Sequence, residues 1–211
     1  MRGLIGCECS GAIRREFRKL GHKVYSCDLK PAEDGGEHIQ DDLLRVIRSQ
    51  CWDFLIAHPE CRYLSSSGYH WCYRDPTRLA KVQEAVDFFL AVANCGIERV
   101  CIENPVGIMS TRYRKPDQIV QPYQFGDDAS KATCLWLRGL PKLQIPSRDL
   151  WVQPRICAGK PRWANQTDSG QNRLGPSETR SEERARTYPG IARAMATTWG
   201  STNSGPTPEG D

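Results

Sequence analysis

RGLIGCECSGAIRREFRKLGHKVYSCD (residues 2–28) decides the fold of this chain. The stretch opens with a short apolar run that ends in a Ser-Gly turn. Ile13 and Phe17 then lie one helical turn apart, and Gly21 follows where a helix would be capped. A second apolar run ends in Asp28. The pattern predicts a strand, a helix and a second strand, which is the unit from which parallel sheets are built.

The alternation of strand and helix continues beyond this stretch. Apolar runs predict further strands at residues 38–42, 54–57 and 99–102, and helical spacing predicts helices at residues 43–49 and 79–94. Strands separated by helices predict a parallel sheet with helices on both faces. We therefore expect an α/β fold with a Rossmann-like sheet.

The chain divides by composition into four parts. Residues 1–139 hold the predicted sheet, which includes a late strand candidate near Cys134. Residues 140–178 are rich in Pro, Gly, Asn and Gln and predict a short loop-rich insert. Residues 179–200 predict a C-terminal helix that returns to the core, with an interruption at a Tyr-Pro-Gly sequence. Residues 201–211 lack core-forming side chains and predict a disordered tail.

The composition is that of a soluble globular protein. The 211 residues are 39% hydrophobic and 26% charged. No apolar run approaches the ~18 residues of a membrane span, and the N-terminus lacks a signal-peptide pattern, so we expect a cytoplasmic location and no membrane contact. The ten cysteines include no pair at zinc-knuckle spacing, so we expect reduced thiols and no bound metal.

Positive charge is concentrated late in the chain. Residues 138–193 contain eleven Lys or Arg and five acids, whereas the whole chain has a formal net charge of +4. Trp, Asn and Gln residues are interleaved with these basic side chains. Such a surface suits a phosphate backbone and stacked bases, and an ordinary solvated surface is the alternative interpretation.

Polar side chains and cysteines follow the predicted strands at the points where those strands end. Because the carboxyl ends of parallel strands meet at one edge of a sheet, where such folds bind their ligands, we expect these groups to form one site. The groups are Cys9-Ser10-Gly11, Asp28, Asp42, Pro59-Glu60-Cys61 and Glu103-Asn104.

The order of these groups resembles that of the DNA cytosine-5 methyltransferases over most of the chain. Residues 4–21 are similar to the family's glycine-containing first motif, and the acids that follow the second and third strands match its next two acidic positions. The resemblance implies an S-adenosylmethionine-dependent methyltransferase fold. The cofactor-binding residues that it implies are Cys9, Ser10, Gly11, Asp28, Asp42 and Pro59.

Three later segments extend this resemblance. Residues 57–68 (AHPECRYLSSSG) are similar to the family's nucleophile motif, residues 102–105 (IENP) to its Glu-Asn motif, and residues 126–137 to the motif that follows. The sequence also resembles compact methyltransferase-like proteins of bacteriophages and prophages. This resemblance implies that the protein is located in the cytoplasm of a bacterial host cell. The resemblance implies catalysis by Cys61, Glu103 and Lys131. Ser67, Asn104, Arg162, Trp163 and Arg173 are the implied contacts to DNA.

The implied reaction is methyl transfer to carbon 5 of cytosine in DNA through a covalent Cys61 adduct. The target base must be flipped out or single-stranded. The short insert implies weak sequence specificity, or a protein partner that supplies it.

Departures from the family pattern keep alternatives open. Glu60 stands where the family has a second proline, and Ala129, Lys131 and Thr133 replace a Gln and two Arg. A catalytically degenerate protein that binds DNA or nucleotides, with an anti-restriction or regulatory role, is one alternative. Modification of a free nucleotide is a second, and a metal-dependent hydrolase built on the strand-end acids is a third.

Overall fold

The computed structural model describes residues 1–177 and 180–201. Seven strands form one sheet, and two more form a small hairpin within the insert. In chain order the strands are β1 (Arg2–Gly6), β2 (Lys23–Asp28), β3 (His38–Gln40), β4 (Phe54–Ala57), β5 (Val100–Pro105), β6 (Gln118–Val120), β7 (Thr133–Arg138), β8 (Arg155–Cys157) and β9 (Lys160–Arg162).

The helices fill the connections between these strands. Short 3-10 turns cover His70–Tyr73, Pro122–Phe125 and Arg148–Leu150. The α-helices are α1 (Ala12–Lys19), α2 (Leu43–Ser49), α3 (Cys61–Leu64), α4 (Ser66–Tyr69), α5 (Arg78–Ala93), α6 (Met109–Arg112), α7 (Arg180–Ala185) and α8 (Pro189–Gly200).

The strand order in the large sheet is β3-β2-β1-β4-β5-β7-β6. The first five strands of this order are parallel, while β7 runs antiparallel to both β5 and β6. Gly6 pairs with Ala57, and Ala57 pairs with Ile102, so three central strands end at the same level. The chain reverses its direction of winding between β1 and β4, and such a switch point opens a crevice at the carboxyl edge of the sheet.

Each face of the sheet is covered by its own helices. Helices α1 and α8 pack on one face, where Phe17 and Trp199 are fully buried. Helices α2 and α5 pack on the other, with Val46 and Phe89 in its core. Alternate residues of β4 point into the two cores, as the two-residue period of a strand requires. The predicted Rossmann-like α/β fold with helices on both faces is confirmed.

The structure also shows elements that the sequence patterns did not predict. Strand β6 has three residues at the sheet edge, and the β8-β9 hairpin lies in the insert that we expected to be loop. Leu140 and Leu143, at the start of that predicted insert, are buried against the sheet. The predicted C-terminal helix is split into α7 and α8 at the expected interruption. The predicted disordered tail falls, beyond residue 201, outside the described residues.

None of the helices in the described parts of the chain is long and apolar enough to span a membrane.

Candidate active site

The turn after β1 is shaped by backbone that only glycine adopts easily. Gly11 precedes α1 with φ +71°, in the left-handed region. A Cβ atom at Gly11 would overlap the side chains of Asp34 and Arg14. The turn after β1 therefore packs closely against the loop between β2 and β3.

Arg14 holds the loop between β2 and β3 in place. Its guanidinium is fully buried and donates to Ser26 Oγ (2.6 Å) and to the Glu37 carbonyl (3.0 Å), and it pairs with Asp34. Burial by itself would raise the pKa of the Asp34 carboxyl, but hydrogen bonds from Arg14, from a backbone amide and from Arg15 lower it to about 2. The loop is thus anchored by a carboxylate that stays ionised at any physiological pH.

Glu8 is a site residue that the sequence analysis missed. It is only 7% exposed, directly after β1. One oxygen, Oε1, accepts from the Ser10 hydroxyl and from the Ala12 amide at the start of α1 (3.0 Å). The other oxygen, Oε2, is buried and has no hydrogen-bond partner within residues 1–177 and 180–201. A buried carboxylate oxygen without a donor is costly, which marks this position as one that a ligand or water completes.

The other predicted cofactor residues around β1 to β3 all lie at the carboxyl edge. Asp28 Oδ1 accepts from the Lys30 amide (3.0 Å), and Asp42 Oδ1 caps α2 by accepting from the Arg45 amide (2.9 Å). Cys9 Sγ donates to Glu33 (3.5 Å). Burial, followed by the hydrogen bond and charge of Glu33, raises the pKa of Cys9 to about 11. Cys9 is therefore a neutral thiol and lines the edge as a small, weakly polar side chain.

The loop after β4 is packed tightly against the loop after β5. Asn104, only 2% exposed, donates from Nδ2 to the Pro59 carbonyl (2.7 Å). A Cβ atom at Gly107 would overlap the Leu64 carbonyl, and one at Gly68 would overlap the preceding turn. Gly107 allows the two loops to approach this closely, and Gly68 allows a tight turn within the loop after β4. Because the loops are joined in this way, the predicted nucleophile segment and the Glu-Asn segment form one rigid wall.

Asn104 and His58 each have one buried polar atom that is left without a hydrogen bond. Asn104 Oδ1 and His58 Nε2 have no hydrogen-bond partner in the described part of the chain. His58 Nδ1 lies 2.7 Å from Glu103 Oε2, and the His58 amide donates to the Gly6 carbonyl (3.0 Å), which ties it to β1. The sequence gives no sign of this pairing, because His58 and Glu103 are 45 residues apart.

Glu103 is an ionised group in a buried position. Burial acts to raise the pKa of its carboxyl, but the charge of Lys131 and the hydrogen bond and charge of His58 together bring that pKa below its ordinary value. Only 5% of the residue is exposed. A carboxylate held at the end of β5 in this way can accept hydrogen bonds from a bound base or from protonated neighbours.

Cys61 is half-buried at the first residue of α3, in the same wall. Burial is the largest effect on its thiol and raises the pKa, while the charge of Lys131 lowers it and the charge of Glu103 raises it. Glu60 contributes a smaller increase. The Glu60 side chain is 60% exposed, and its carboxylate lies 3.8 Å from Nε of Arg62.

Lys131 is the cation of the site. It precedes β7, and its charge acts on both Cys61 and Glu103. Its Nζ donates to the carbonyls of Ala185 (3.5 Å) and Arg186 (3.4 Å), at the end of α7. Arg186 pairs with Glu33 (2.7 Å), so the link between α7 and α8 crosses the carboxyl edge from Lys131 to the loop after β2.

The predicted DNA-contacting residues of the insert are engaged within the protein. Arg162 Nε donates to the Asp168 carbonyl (3.0 Å), and Arg173 Nε donates to the Gln166 carbonyl (2.8 Å). Trp163 stacks on the ring of Tyr123, with centroids 4.4 Å apart and planes at 14°. Ser67 is exposed in α4, on the nucleophile segment and apart from these three. The three insert residues are thus held by contacts within the protein.

Within residues 1–177 and 180–201, no three His, Cys, Asp or Glu side chains are placed to hold a metal ion.

Fold and site together define a Rossmann-like α/β protein with a cysteine, a Glu-Asn pair, a histidine and a lysine at the carboxyl edge of its sheet. No protein-family model and no curated protein sequence matches this chain.

Among solved structures, the chain is similar to an E. coli protein described as a DNA modification methyltransferase encoded within a prophage, at 14% identity and a TM-score of 0.46. It is also similar to the Entamoeba histolytica methyltransferase EhMeth, at 14% identity and a TM-score of 0.47. The matches cover 70% and 69% of this chain, but only 51% and 56% of those proteins. The chain thus spans about half the length of both, and at this identity neither likeness bears on function.

Proposed function

We propose that this protein transfers a methyl group from S-adenosylmethionine to carbon 5 of cytosine in DNA, with Cys61 as the nucleophile. The observation that carries the proposal is the convergence of Cys61, Glu103 and Lys131. Cys61 follows β4, Glu103 lies in β5 and Lys131 precedes β7, and these three strands are neighbours in the sheet. The charges of Lys131 and Glu103 both act on the thiol of Cys61. A thiol beside an anchored carboxylate and a cation is a suitable set for covalent catalysis on a pyrimidine.

The residues near β1 fit the proposed cofactor. The unpartnered Oε2 of Glu8 requires a donor, and the α-ammonium group of a methionine moiety is one. The turn at Gly11 packs against Asp34 and Arg14 beside this edge, and Asp28 and Asp42 lie at the ends of the neighbouring strands. Cys9, Ser10 and Pro59 would complete the wall. When bound there, S-adenosylmethionine supplies an electrophilic methyl group.

Cys61 would act first on the base. Its thiolate adds to carbon 6 of cytosine, a C–S bond forms, and the electrons of the ring double bond make carbon 5 nucleophilic. After methyl transfer, solvent water takes the proton from carbon 5. The electron pair of that C–H bond restores the ring double bond, and the C–S bond breaks to return the thiolate. Lys131 supports the thiolate, since its charge lowers the pKa that burial raises. The same ammonium can stabilise negative charge on the carbonyl oxygen of the base.

Glu103 and His58 would handle the proton at N3 of the base. A carboxylate whose pKa is lowered cannot by itself donate a proton, whereas N3 gains one as the thiolate adds. A proton shared by His58 and Glu103, whose nearest atoms lie 2.7 Å apart, can pass through Glu103 to N3 as the thiolate adds and return to the pair when the thiolate leaves. Asn104 would orient the base through Oδ1, because this atom is buried and has no partner in the described residues.

A binding role without methyl transfer is the second candidate. The raised pKa of Cys61 favours it, because the thiolate and not the thiol is the nucleophile. Under this alternative the protein grips DNA or a nucleotide through the same edge and through its basic insert.

The test is incubation with tritiated S-adenosylmethionine and double- or single-stranded DNA. Wild-type protein should transfer label, and Cys61→Ser should not, while Cys51→Ser provides the matched control because Cys51 is an exposed free cysteine outside the site. DNA that contains 5-fluorocytosine should form a covalent complex with wild type, since its carbon 5 has no proton to release. Cofactor and DNA binding without transfer or trapping would favour the binding role, and absence of cofactor binding would contradict the proposal.

A further inference from the structure

A second concave site lies where the insert packs on the segment between β6 and β7. The cavity has a volume of about 340 Å³. This is at the lower end of the roughly 300–1,000 Å³ that small-molecule sites occupy. The residues that line it are Tyr123, Arg148, Trp151, Val152, Gln153, Pro154 and Trp163.

Three aromatic rings form the walls of this cavity. Trp163 is stacked on Tyr123, and the Trp151 ring is tilted at 58° to Tyr123 with centroids 5.7 Å apart. Trp151 Nε1 donates to the Pro146 carbonyl (2.8 Å), and the Val152 amide donates to the Tyr123 carbonyl (3.0 Å). Because these bonds fix the rings, the cavity is organised before any ligand enters it.

The charge beside the rings selects the kind of ligand. The Arg148 guanidinium lies 5.4 Å from the Trp151 ring centroid, and its side chain makes no hydrogen bond or ion pair with the described residues. An exposed arginine at the rim disfavours a cationic guest, such as a methylated ammonium group, that aromatic walls would otherwise accept. It favours a flat ring that carries an anion, which is the chemistry of a nucleobase with its phosphate.

We propose that this cavity binds one unpaired base of a DNA strand, with the base stacked on Trp151 and its phosphate paired with Arg148. The inference rests on the proposed function, because it takes nucleic acid as the substrate. Tyr123 donates through its amide to the Ala129 carbonyl (3.1 Å), two residues before Lys131. A base in the cavity is therefore held one loop away from the candidate active site, where it positions the strand that carries the target cytosine.

Binding of a short labelled single strand, without cofactor, tests this site independently of methyl transfer. An abasic deoxyribose-phosphate strand of equal length serves as the comparison. Trp151→Ala should bind the normal strand roughly tenfold more weakly, because the base loses the ring on which it stacks. The same variant should bind the abasic strand as wild type does. Trp151→Phe keeps a ring for stacking and should retain most of the affinity, which separates stacking from loss of fold.

Arg148→Ala should weaken binding of both strands, because one phosphate contact is lost. The slope of the logarithm of the binding constant against the logarithm of the salt concentration should become less steep by ~0.7. Arg2→Ala is the matched control, because Arg2 also lies over aromatic rings but at the opposite edge of the sheet.

Equal affinities of wild type and Trp151→Ala for the normal strand would overturn the proposal. Competition by free deoxycytidine monophosphate as tight as that by the strand would overturn it too, and would assign the cavity to free nucleotides. Either result leaves the proposed methyl transfer untouched.

Discussion

The Nδ1 atom of His58 lies 2.7 Å from Oε2 of Glu103, and the two side chains are 11% and 6% exposed. His58 directly follows β4 and Glu103 lies within the neighbouring parallel strand β5, so the pair links β4 to β5 at the carboxyl edge. Because Glu103 is ionised and buried, its negative charge depends on His58 and Lys131 for compensation. The pair is therefore both a structural link and a means of holding a proton beside the site.

Removal of His58 should destabilise the fold and change its response to acid. His58→Ala leaves the Glu103 carboxylate with Lys131 alone, and breaking such a buried pair costs about 3 kcal/mol in the free energy of unfolding. A lowered carboxyl pKa gives stability that is present above the unfolded pKa of ~4.3 and is lost as the pH falls through the folded value. The variant should lose this increment, so its stability should vary less than that of wild type between pH 5 and the folded pKa of Glu103.

Urea unfolding at a series of pH values measures this effect. His22→Ala is a suitable comparison, because His22 bonds the Gly200 carbonyl at the other end of the sheet and no acid. Identical pH profiles for wild type and His58→Ala would show that the pair does not set the ionisation of Glu103.

Glu8→Gln should weaken S-adenosylmethionine binding while the protein stays folded. The amide keeps an acceptor for the Ser10 and Ala12 bonds but removes the charge and places an N–H₂ group at one oxygen position. A hydrogen bond to a charged group contributes ~1.5–3 kcal/mol, so the Kd should rise at least tenfold. Isothermal titration calorimetry measures this directly. Glu84→Gln, on the exposed surface of α5, should leave the Kd unchanged, and an unchanged Kd in Glu8→Gln would exclude Glu8 from the cofactor site.

The sheet could be predicted from sequence because its central strands are short apolar runs that each end in a polar or turn residue. Residues 43–49 and 54–57 coincide with a predicted helix and strand, since local spacing decides both. Strand β6 could not be predicted in this way. It has only three residues, one of them buried, which is too short a stretch to show the two-residue period of a strand.

The candidate site was only partly predictable for the same reason. Strand-end position identified Cys61 and Glu103, because topology alone brings those ends together. It gave no sign of the role of Glu8 or His58, since burial and an unpartnered oxygen or nitrogen exist only in three dimensions. Composition marked Trp163 as a base-stacking candidate, but its stacking on Tyr123 is a contact between segments far apart in sequence.

Gly11 and Gly21 allow the cost of left-handed backbone strain to be separated from the cost of overlap between an added Cβ atom and its neighbours. Both have positive φ, +71° and +82°, but a Cβ atom at Gly21 meets nothing within 4 Å, whereas one at Gly11 overlaps Asp34. Gly21→Ala should therefore cost only the left-handed strain of ~1–2 kcal/mol. Gly11→Ala should cost clearly more and also weaken cofactor binding, because the loop between β2 and β3 must move. Denaturant unfolding and calorimetry compare the two variants, and equal effects on both readouts would mean that the turn at Gly11 does not shape the site.

Lys131 should control the reactivity of Cys61. Its charge is the largest effect that lowers the pKa of this thiol, against burial and the charge of Glu103. Lys131→Met should therefore raise the pKa of Cys61 and slow its alkylation by iodoacetamide near pH 8, since the thiolate is the reacting species. Lys131→Arg keeps the charge and should preserve most of the rate.

Mass spectrometry of the peptide that contains Cys61 separates it from the other thiols, and Lys19→Met is an exposed control at the far end of α1. The effect should persist at high salt, because partly buried charges are screened less than exposed ones. Alkylation of Cys61 at the same rate in wild type and Lys131→Met would remove Lys131 from the catalytic set.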